Sequence, residues 1–148
     1  MRKLFVFGTA LALAVFLITG TNAEDPKPVP KGKTRPAETK YLMSGVVSPN
    51  CGGLGKSFGK DGKAPADDKA WDQVTAQASL LNEMSYVLMD DDRCPGKEWK
   101  EACATLGEGS AKLLGAAKAK NADDAQAAFK TVTASCGACH SVYKPKKK

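Results

Sequence analysis

Four segments of the chain carry apolar residues every three or four positions, which is the spacing of one face of an α-helix. The clearest pattern is in the second segment, at Trp71, Val74, Ala78, Leu81, Met84 and Leu88. The four segments cover residues 37–48, 67–88, 97–120 and 122 onward. No segment alternates apolar and polar residues as a half-buried strand does. Because the connections are short, the pattern predicts an all-α fold, an antiparallel up-down-up-down four-helix bundle.

Capping and breaking residues separate these segments. Pro49 and several glycines follow the first segment, and proline inside a helix costs about 3 kcal/mol, so a helix end or kink is predicted there. Asp67 and Asn121 are predicted N-caps of the second and fourth helices, since each offers an oxygen to a free backbone N–H. Three aspartates, Asp90 to Asp92, are predicted to form an exposed loop after the second helix.

The N-terminus has the layout of a secretory signal peptide. A basic start precedes an apolar run over residues 4–18, and small residues end at Ala23, which predicts a signal peptide over residues 1–23. The alternative, a retained membrane anchor, needs about 20 apolar residues. A Pro/Lys-rich linker is predicted over 24–36 and a four-helix domain over 37–148, with the mature protein in the periplasm.

Charge gives little support for a nucleic-acid partner. The formal net charge is +6, and loss of Arg2 and Lys3 with the signal peptide lowers it to +4. Four lysines lie within residues 144–148, so the remaining body is near neutral. No basic stripe with interleaved aromatic residues is present, which argues against nucleic-acid binding. The tail is predicted to be solvated, and docking on an acidic redox partner is the alternative.

The sequence SCGACH at residues 135–140 contains the only histidine of the chain. On a helix, Cys136 and Cys139 face one way, and His140 lies on the same side, four positions after Cys136. Such a set can attach haem, because the cysteines can form thioethers with its two vinyl groups while the imidazole ligates the iron. Cys136 and Cys139 are therefore predicted to bind haem c covalently, with His140 as the proximal iron ligand.

Other interpretations of this motif have specific requirements. A thioredoxin-like redox pair requires a βαβ context, which the helical pattern does not provide. A zinc site requires a fourth ligand, and export argues against a distant cysteine in that role. A plain disulfide or a chance motif would have to place the only histidine directly after the second cysteine.

The motif and its surroundings resemble the class II c-type cytochromes, the cytochrome c′ family. The resemblance rests on Cys-x-x-Cys-His near the C-terminus of a fourth helix, followed by Tyr143 and Lys144. It also includes the preceding pattern Ala-Phe-x-x-Val at residues 128–132. Members of this family are often homodimers packed through their first two helices, so the resemblance allows a homodimer.

The resemblance also bears on the second axial ligand of the iron. In low-spin members the distal ligand is a methionine of the first helix, so the resemblance implies that Met43 is the distal ligand. The alternative is that Met43 only packs in the hydrophobic core. Family members commonly have an arginine one helical turn before the distal ligand, where it pairs with a haem propionate. In this chain that position is Thr39, so Lys40 or Arg35 is expected to pair with the propionate instead. The other two methionines of the mature chain, Met84 and Met89, are predicted to be core residues.

Three further cysteines are not needed for haem attachment. Cys94 and Cys103 are predicted to lie at the same end of the bundle, and a disulfide between them would close a short ring worth about 2 to 3 kcal/mol. Cys51 is predicted toward the opposite end, because the first helix is expected to stop at Pro49.

These observations leave two functions open. One is a periplasmic electron carrier with His/Met-ligated iron, which meets redox partner proteins of the cell envelope. The alternative is a five-coordinate, gas-binding module for NO or CO with His140 as the sole axial ligand. Peroxidase-like catalysis usually needs a distal acid–base group, and no second histidine is available, so the protein is not expected to be an enzyme.

Overall fold

The computed structural model describes residues 32–58 and 63–143. The predicted signal peptide, residues 24–31 of the predicted linker and the lysine tail at 144–148 lie outside the described residues. Within the described ranges, no helix is long and apolar enough to cross a membrane.

Four helices and no strand make up this part of the chain, which confirms the all-α four-helix bundle. Helix α1 is built from three consecutive stretches, Thr39–Leu42, Met43–Val47 and Ser48–Phe58. The other helices are α2 (Asp68–Val87), α3 (Lys97–Lys118) and α4 (Ala122–Tyr143). Each helix packs on the next, and the α3–α4 and α2–α3 contacts are the most extensive. Helix α1 lies mainly on α2 and touches α4 over a smaller area.

The predicted capping residues begin their helices. The Asp67 carboxylate accepts a hydrogen bond from the Ala70 N–H at 2.8 Å at the start of α2. At the start of α4, the Asn121 side chain accepts from the Asp124 N–H at 3.2 Å. Both N-cap predictions are confirmed, because each side chain satisfies a backbone donor that the first helical turn leaves free.

Of the helix end or kink predicted at Pro49, the helix end is wrong. Helix α1 passes through Pro49 and continues to Phe58. Directly before the proline, Met43–Val47 form a wider π-helical turn, in which the Ser48 N–H donates to the Met43 carbonyl five residues back. A proline ring clashes with the carbonyl four residues earlier in a regular α-helix, and the wider turn gives that ring room.

The loop after α2 binds the chain segment that precedes α1. We call residues 32–37 the N-terminal strap. The Asp91 carboxylate accepts hydrogen bonds from Thr34 N at 2.8 Å, Thr34 Oγ1 at 2.7 Å and Arg35 N at 3.0 Å. The prediction that all three aspartates are exposed is therefore wrong for Asp91, whose side chain is 5% exposed. Asp91 and Asp92 both adopt φ of 59°, a left-handed conformation that aspartate tolerates better than most residues.

Arg93 is buried beneath the strap. Its residue exposure is 0%, and its Nη2 donates to the Ala37 carbonyl at 3.1 Å. Its Nη1 lies 3.4 Å from Asp91 Oδ2, so the buried charge has an opposite charge beside it. Gly32 lies so close to this pair that a side chain there would collide with both Asp91 and Arg93. The strap therefore covers a buried ion pair at the end of the bundle where α1 begins.

Helices α3 and α4 lie close together at Gly109. A Cβ at this position would lie 3.1 Å from the Val132 backbone nitrogen and 3.2 Å from the Thr131 methyl group. Val132 is fully buried at this contact. The absence of a side chain at Gly109 thus permits the spacing of the two helices that carry Cys103 and the haem-attachment motif.

Candidate functional site

Helices α1, α3 and α4, together with Leu88 directly after α2, line one small apolar cavity at the end of the bundle where α4 finishes. The cavity volume is about 30 Å³. Its wall contains the four residues predicted to hold haem, which are Met43, Cys136, Cys139 and His140. Six other residues complete the wall: Val47, Leu88, Ala102, Cys103, Leu106 and Ser135. The predicted site residues are thus brought together from the first and last helices of the fold.

The three motif residues lie on the last turns of α4. Cys139 is buried at 8% exposure, Cys136 is half-buried and His140 is exposed. Tyr143 holds this end of α4 against α3, because its ring packs edge-on against Trp99 with centroids 5.3 Å apart. Its hydroxyl also donates to the Glu98 carboxylate at 3.3 Å. These contacts fix the end of the helix that presents the thiols and the imidazole.

Met43 reaches the cavity from the π-helical turn of α1. The other methionines lie elsewhere: Met84 is buried in the core and Met89 packs partly buried against it. Neither of them lines the cavity that contains His140. Of the described methionines, Met43 is therefore the one that lines this cavity together with His140.

Cys51 contacts the first cysteine of the motif. The neighbouring Cys136 and burial raise the pKa of Cys51 far above its usual range. The neighbouring Cys51 lowers the pKa of Cys136, so of these two thiols Cys136 is the one that more readily loses its proton.

The other two thiols of the cavity wall, Cys103 and Cys139, have raised pKa values. Burial, followed by the nearby Cys139 and Cys94, raises the pKa of Cys103 to about 12. Burial and the neighbouring Cys136 raise the pKa of Cys139 to about 11. Both sulfurs stay protonated at neutral pH, so the wall on this side carries no charge.

Two predictions about the spare cysteines are wrong. All five cysteines are free thiols, so the predicted Cys94–Cys103 disulfide is not formed. The Cys94 thiol instead donates to the Gly96 carbonyl at 3.6 Å, while Cys103 lines the cavity. Cys51 does not lie at the opposite end, because α1 continues past Pro49 and carries Cys51 to Cys136.

The cations expected near a haem propionate are already paired with carboxylates. Arg35 Nη2 lies 2.9 Å from Asp90 Oδ2, and Lys40 Nζ lies 3.0 Å from Glu38 Oε2. Sequence reasoning missed Arg93, whose burial depends on the strap folding back over the loop. The one sequence signal for a paired Arg93 is its position directly after three aspartates, because neighbouring negative charges favour a cation beside them.

A comparison with protein families identifies the matching segment. The family model described as Cytochrome C′ matches residues 96–144, which include α3, α4 and the complete motif. The match shows that this part of the chain, about a third of its length, is similar to the cytochrome c′ family. Searches of curated proteins and of solved structures found no match. Proteins of the cytochrome c′ family bind covalently attached haem c, so the match supports the predicted cofactor.

The residues that line the cavity fit haem in their chemistry. Two thiols and an imidazole lie on one side of the cavity, a thioether lies on another wall, and the lining is apolar. The volume of about 30 Å³ holds about one water molecule, far less than a cofactor pocket. Haem would therefore need more room between the walls of this cavity than the structure shows.

Proposed function

We propose that this protein is an exported electron carrier whose haem iron is held by His140 and Met43. Cys136 and Cys139 would hold the porphyrin through thioether bonds. Haem supplies one-electron chemistry when bound, and a methionine ligand raises its reduction potential. The observation that carries the proposal is that Met43 and His140 line the same cavity from two different helices.

The arrangement of the helices supports a fixed ligand geometry. His140 lies in the last turns of α4, which Tyr143 holds against Trp99 of α3. Met43 lies in α1, whose start is covered by the strap and its ion pair. A site with both axial ligands on rigid elements changes little between the two iron oxidation states, which favours rapid electron transfer.

The predicted signal peptide favours the periplasm as its location. We expect its partners to be redox proteins of the cell envelope. Lysines of the C-terminal tail would steer docking onto an acidic surface, an effect that increasing salt weakens. Neither nucleic acid nor stable membrane insertion is part of this proposal.

The decisive experiment compares Met43→Ala with the control Met89→Ala, both purified with haem attached. In wild-type protein we expect a ferric methionine-to-iron charge-transfer band in the far red and slow binding of CO by the reduced protein. Met43→Ala should lose the band, bind CO at once and have a lower reduction potential. Met89→Ala should match the wild type, because Met89 does not line the cavity.

The same measurements separate the two functions. If the reduced wild-type protein binds CO as fast as Met43→Ala, the iron is five-coordinate and the gas-binding alternative replaces the electron carrier. If the band persists in Met43→Ala, another residue is the distal ligand.

A further inference from the structure

Trp99 and Tyr143 form an aromatic pair at the end of the bundle that holds the cavity. Trp99 lies on α3 and Tyr143 on α4, and their rings meet edge-on with centroids 5.3 Å apart. Trp99 is 2% exposed, whereas Tyr143 is half-buried. The pair therefore connects the interior of this end of the bundle to its surface.

The pair lies directly beside the cavity wall. The Trp99 Nε1 donates to the Leu88 carbonyl at 2.7 Å, and Leu88 lines the cavity. Ala102, another wall residue, follows Trp99 by one turn of α3. On α4, Tyr143 follows the wall residue Cys139 by one turn. The aromatic pair is thus next to the place where we propose that haem binds.

The hydroxyl of Tyr143 has a proton acceptor at the surface. It donates to Glu98 Oε2 at 3.3 Å, and Glu98 is exposed to solvent. A phenol loses an electron more readily when a base takes its proton in the same event, and a carboxylate within hydrogen-bond reach is such a base. Tyr143 therefore has a tryptophan on one side for the electron and a carboxylate on the other for the proton.

The other two tyrosines of the chain have different surroundings. Tyr41 and Tyr86 are 62% and 60% exposed, and within the described residues neither ring packs against a tryptophan. The Lys40 ammonium lies 4.7 Å from the centroid of the Tyr41 ring. Removing an electron from that ring would place a positive charge beside a cation, which is unfavourable. Exposure alone favours oxidation of Tyr41 and Tyr86, whereas the contacts favour Tyr143.

We propose that Trp99 and Tyr143 carry oxidising equivalents out of the cavity, with Tyr143 as the final electron donor and Glu98 as the acceptor of its proton. The oxidant is hydrogen peroxide reacting at the haem, so this inference rests on the proposed role of the cavity in haem binding. Each Tyr143 loses one electron through Trp99 and one proton to Glu98, which releases it to solvent. Two such events reduce one hydrogen peroxide, which takes up two protons and becomes two water molecules, so atoms and electrons balance.

The pair would protect the sulfur atoms of the cavity wall. Met43 contributes a thioether to this wall, and peroxide converts thioethers to sulfoxides. An electron supplied by Tyr143 consumes the oxidising equivalent before it reaches that sulfur. Loss of Tyr143 as a donor should therefore appear as increased oxidation of Met43.

The test treats the purified haem-containing protein with hydrogen peroxide and a nitroso spin trap, and locates the adducts by peptide mass spectrometry. We expect a higher yield of adduct on Tyr143 than on Tyr41 or Tyr86, although those two are more exposed. The same chain without haem, exported in a host that lacks the attachment machinery, should give no Tyr143 adduct. Absence of the Tyr143 adduct from the haem-containing protein, or an equal yield without haem, would overturn the proposal.

Two glutamate variants test the proton acceptor. Glu98→Gln keeps the size of the side chain but removes the base, so the yield of Tyr143 adduct should fall by at least about tenfold. Glu101→Gln is the matched control and should keep the wild-type yield, because Glu101 lies on the same helix and pairs with Lys97. Equal yields in the two variants would contradict proton transfer to Glu98. Both side chains are exposed, so neither change disturbs the core.

Two tryptophan variants test the electron path. Trp99→Phe should lose most of the Tyr143 adduct. Trp71→Phe should retain it, because Trp71 lies near the start of α2, about 25 Å along that helix from Leu88. Far-ultraviolet circular dichroism and the haem absorption spectrum check the fold of each variant. An unchanged Tyr143 yield in folded Trp99→Phe would contradict this path.

Tyr143→Phe tests the protective consequence. This variant should accumulate more Met43 sulfoxide than wild type at the same dose of peroxide, measured on the Met43 peptide. Equal sulfoxide in the two proteins would show that Tyr143 does not divert oxidation from the cavity.

The outcomes separate the two proposals. If Tyr143 carries the adduct but the reduced wild-type protein binds CO as fast as Met43→Ala, the electron-carrier proposal fails and this inference stands. If Met43→Ala behaves as expected and Tyr143 stays unmodified, this inference fails and the electron-carrier proposal stands.

Discussion

The close approach of α3 and α4 makes a strong prediction about Gly109. Alanine in place of glycine within a helix normally stabilises it by about 1 kcal/mol. At Gly109 the added Cβ would lie 3.1 Å from the Val132 backbone nitrogen and 3.2 Å from both the Thr131 and Val132 Cγ2 atoms. Overpacking of this kind costs about 1 to 3 kcal/mol, so the net effect of Gly109→Ala should be zero to about 2 kcal/mol of destabilisation.

Gly115 of the same helix provides the matched control. A Cβ at Gly115 would meet nothing within 4 Å, so Gly115→Ala should stabilise the protein by about 1 kcal/mol. The two variants should therefore differ by about 1 to 3 kcal/mol in the free energy of unfolding. The neighbours of Gly109 cannot easily move, since they are a backbone atom and two β-branched side chains of α4.

The assay is urea unfolding of the haem-containing protein, followed by far-ultraviolet circular dichroism and extrapolated to water. Gly109→Ala should also broaden the haem absorption bands, because the α3–α4 spacing sets the wall that contains Cys103. Equal stability of the two variants would refute the conclusion that Gly109 determines this spacing.

Three further predictions concern the end of the bundle that holds the site. Trp99→Phe should lower the free energy of unfolding by about 1 to 3 kcal/mol in urea denaturation, because the buried Trp99 Nε1 donates to the Leu88 carbonyl at 2.7 Å. Arg93→Met should release the strap and increase proteolysis within residues 32–37, because it removes the cation beside the Asp91 carboxylate; undiminished protection would contradict this role. The hydrogen bond from the Thr34 hydroxyl lowers the pKa of Asp91 to about 2 from its ordinary value of 3.8. Because the pKa is lower in the folded state, the stabilisation by Asp91 is full above about pH 4 and is lost as the pH falls toward 2, so the melting temperature of Asp91→Asn should converge with that of wild type over this range.

Local sequence signals were sufficient for much of the fold. Apolar spacing from Trp71 to Leu88 corresponds to α2, and the Asp67 and Asn121 side chains cap helices as predicted. These features depend on neighbours within one or two turns, which sequence spacing describes directly. The haem motif is equally local, because its three residues occupy adjacent positions on a single helix.

The features that sequence reasoning missed depend on distant parts of the chain. Asp91 is held by Thr34, 57 positions away, and no local pattern reports that contact. The position of Cys51 depends on whether the first helix continues past Pro49. The usual energetic cost of proline inside a regular helix predicts that it stops there, whereas the wider turn before Pro49 allows it to continue. The disulfide predicted between Cys94 and Cys103 relied on closeness along the sequence, whereas Cys103 lines the cavity with Cys139.

The π-helical turn has a geometric effect on α1 that extends along its whole length. In a regular helix each residue advances by about 100°, so two side chains eight positions apart, such as Met43 and Cys51, would diverge by about 80°. The wide turn takes up about one residue, and the effective separation of seven leaves them within about 20° of each other. One extra residue therefore places Met43, which lines the cavity with His140, and Cys51 on the same side of α1. A helix without this phase correction would carry the two side chains about 80° apart around its axis.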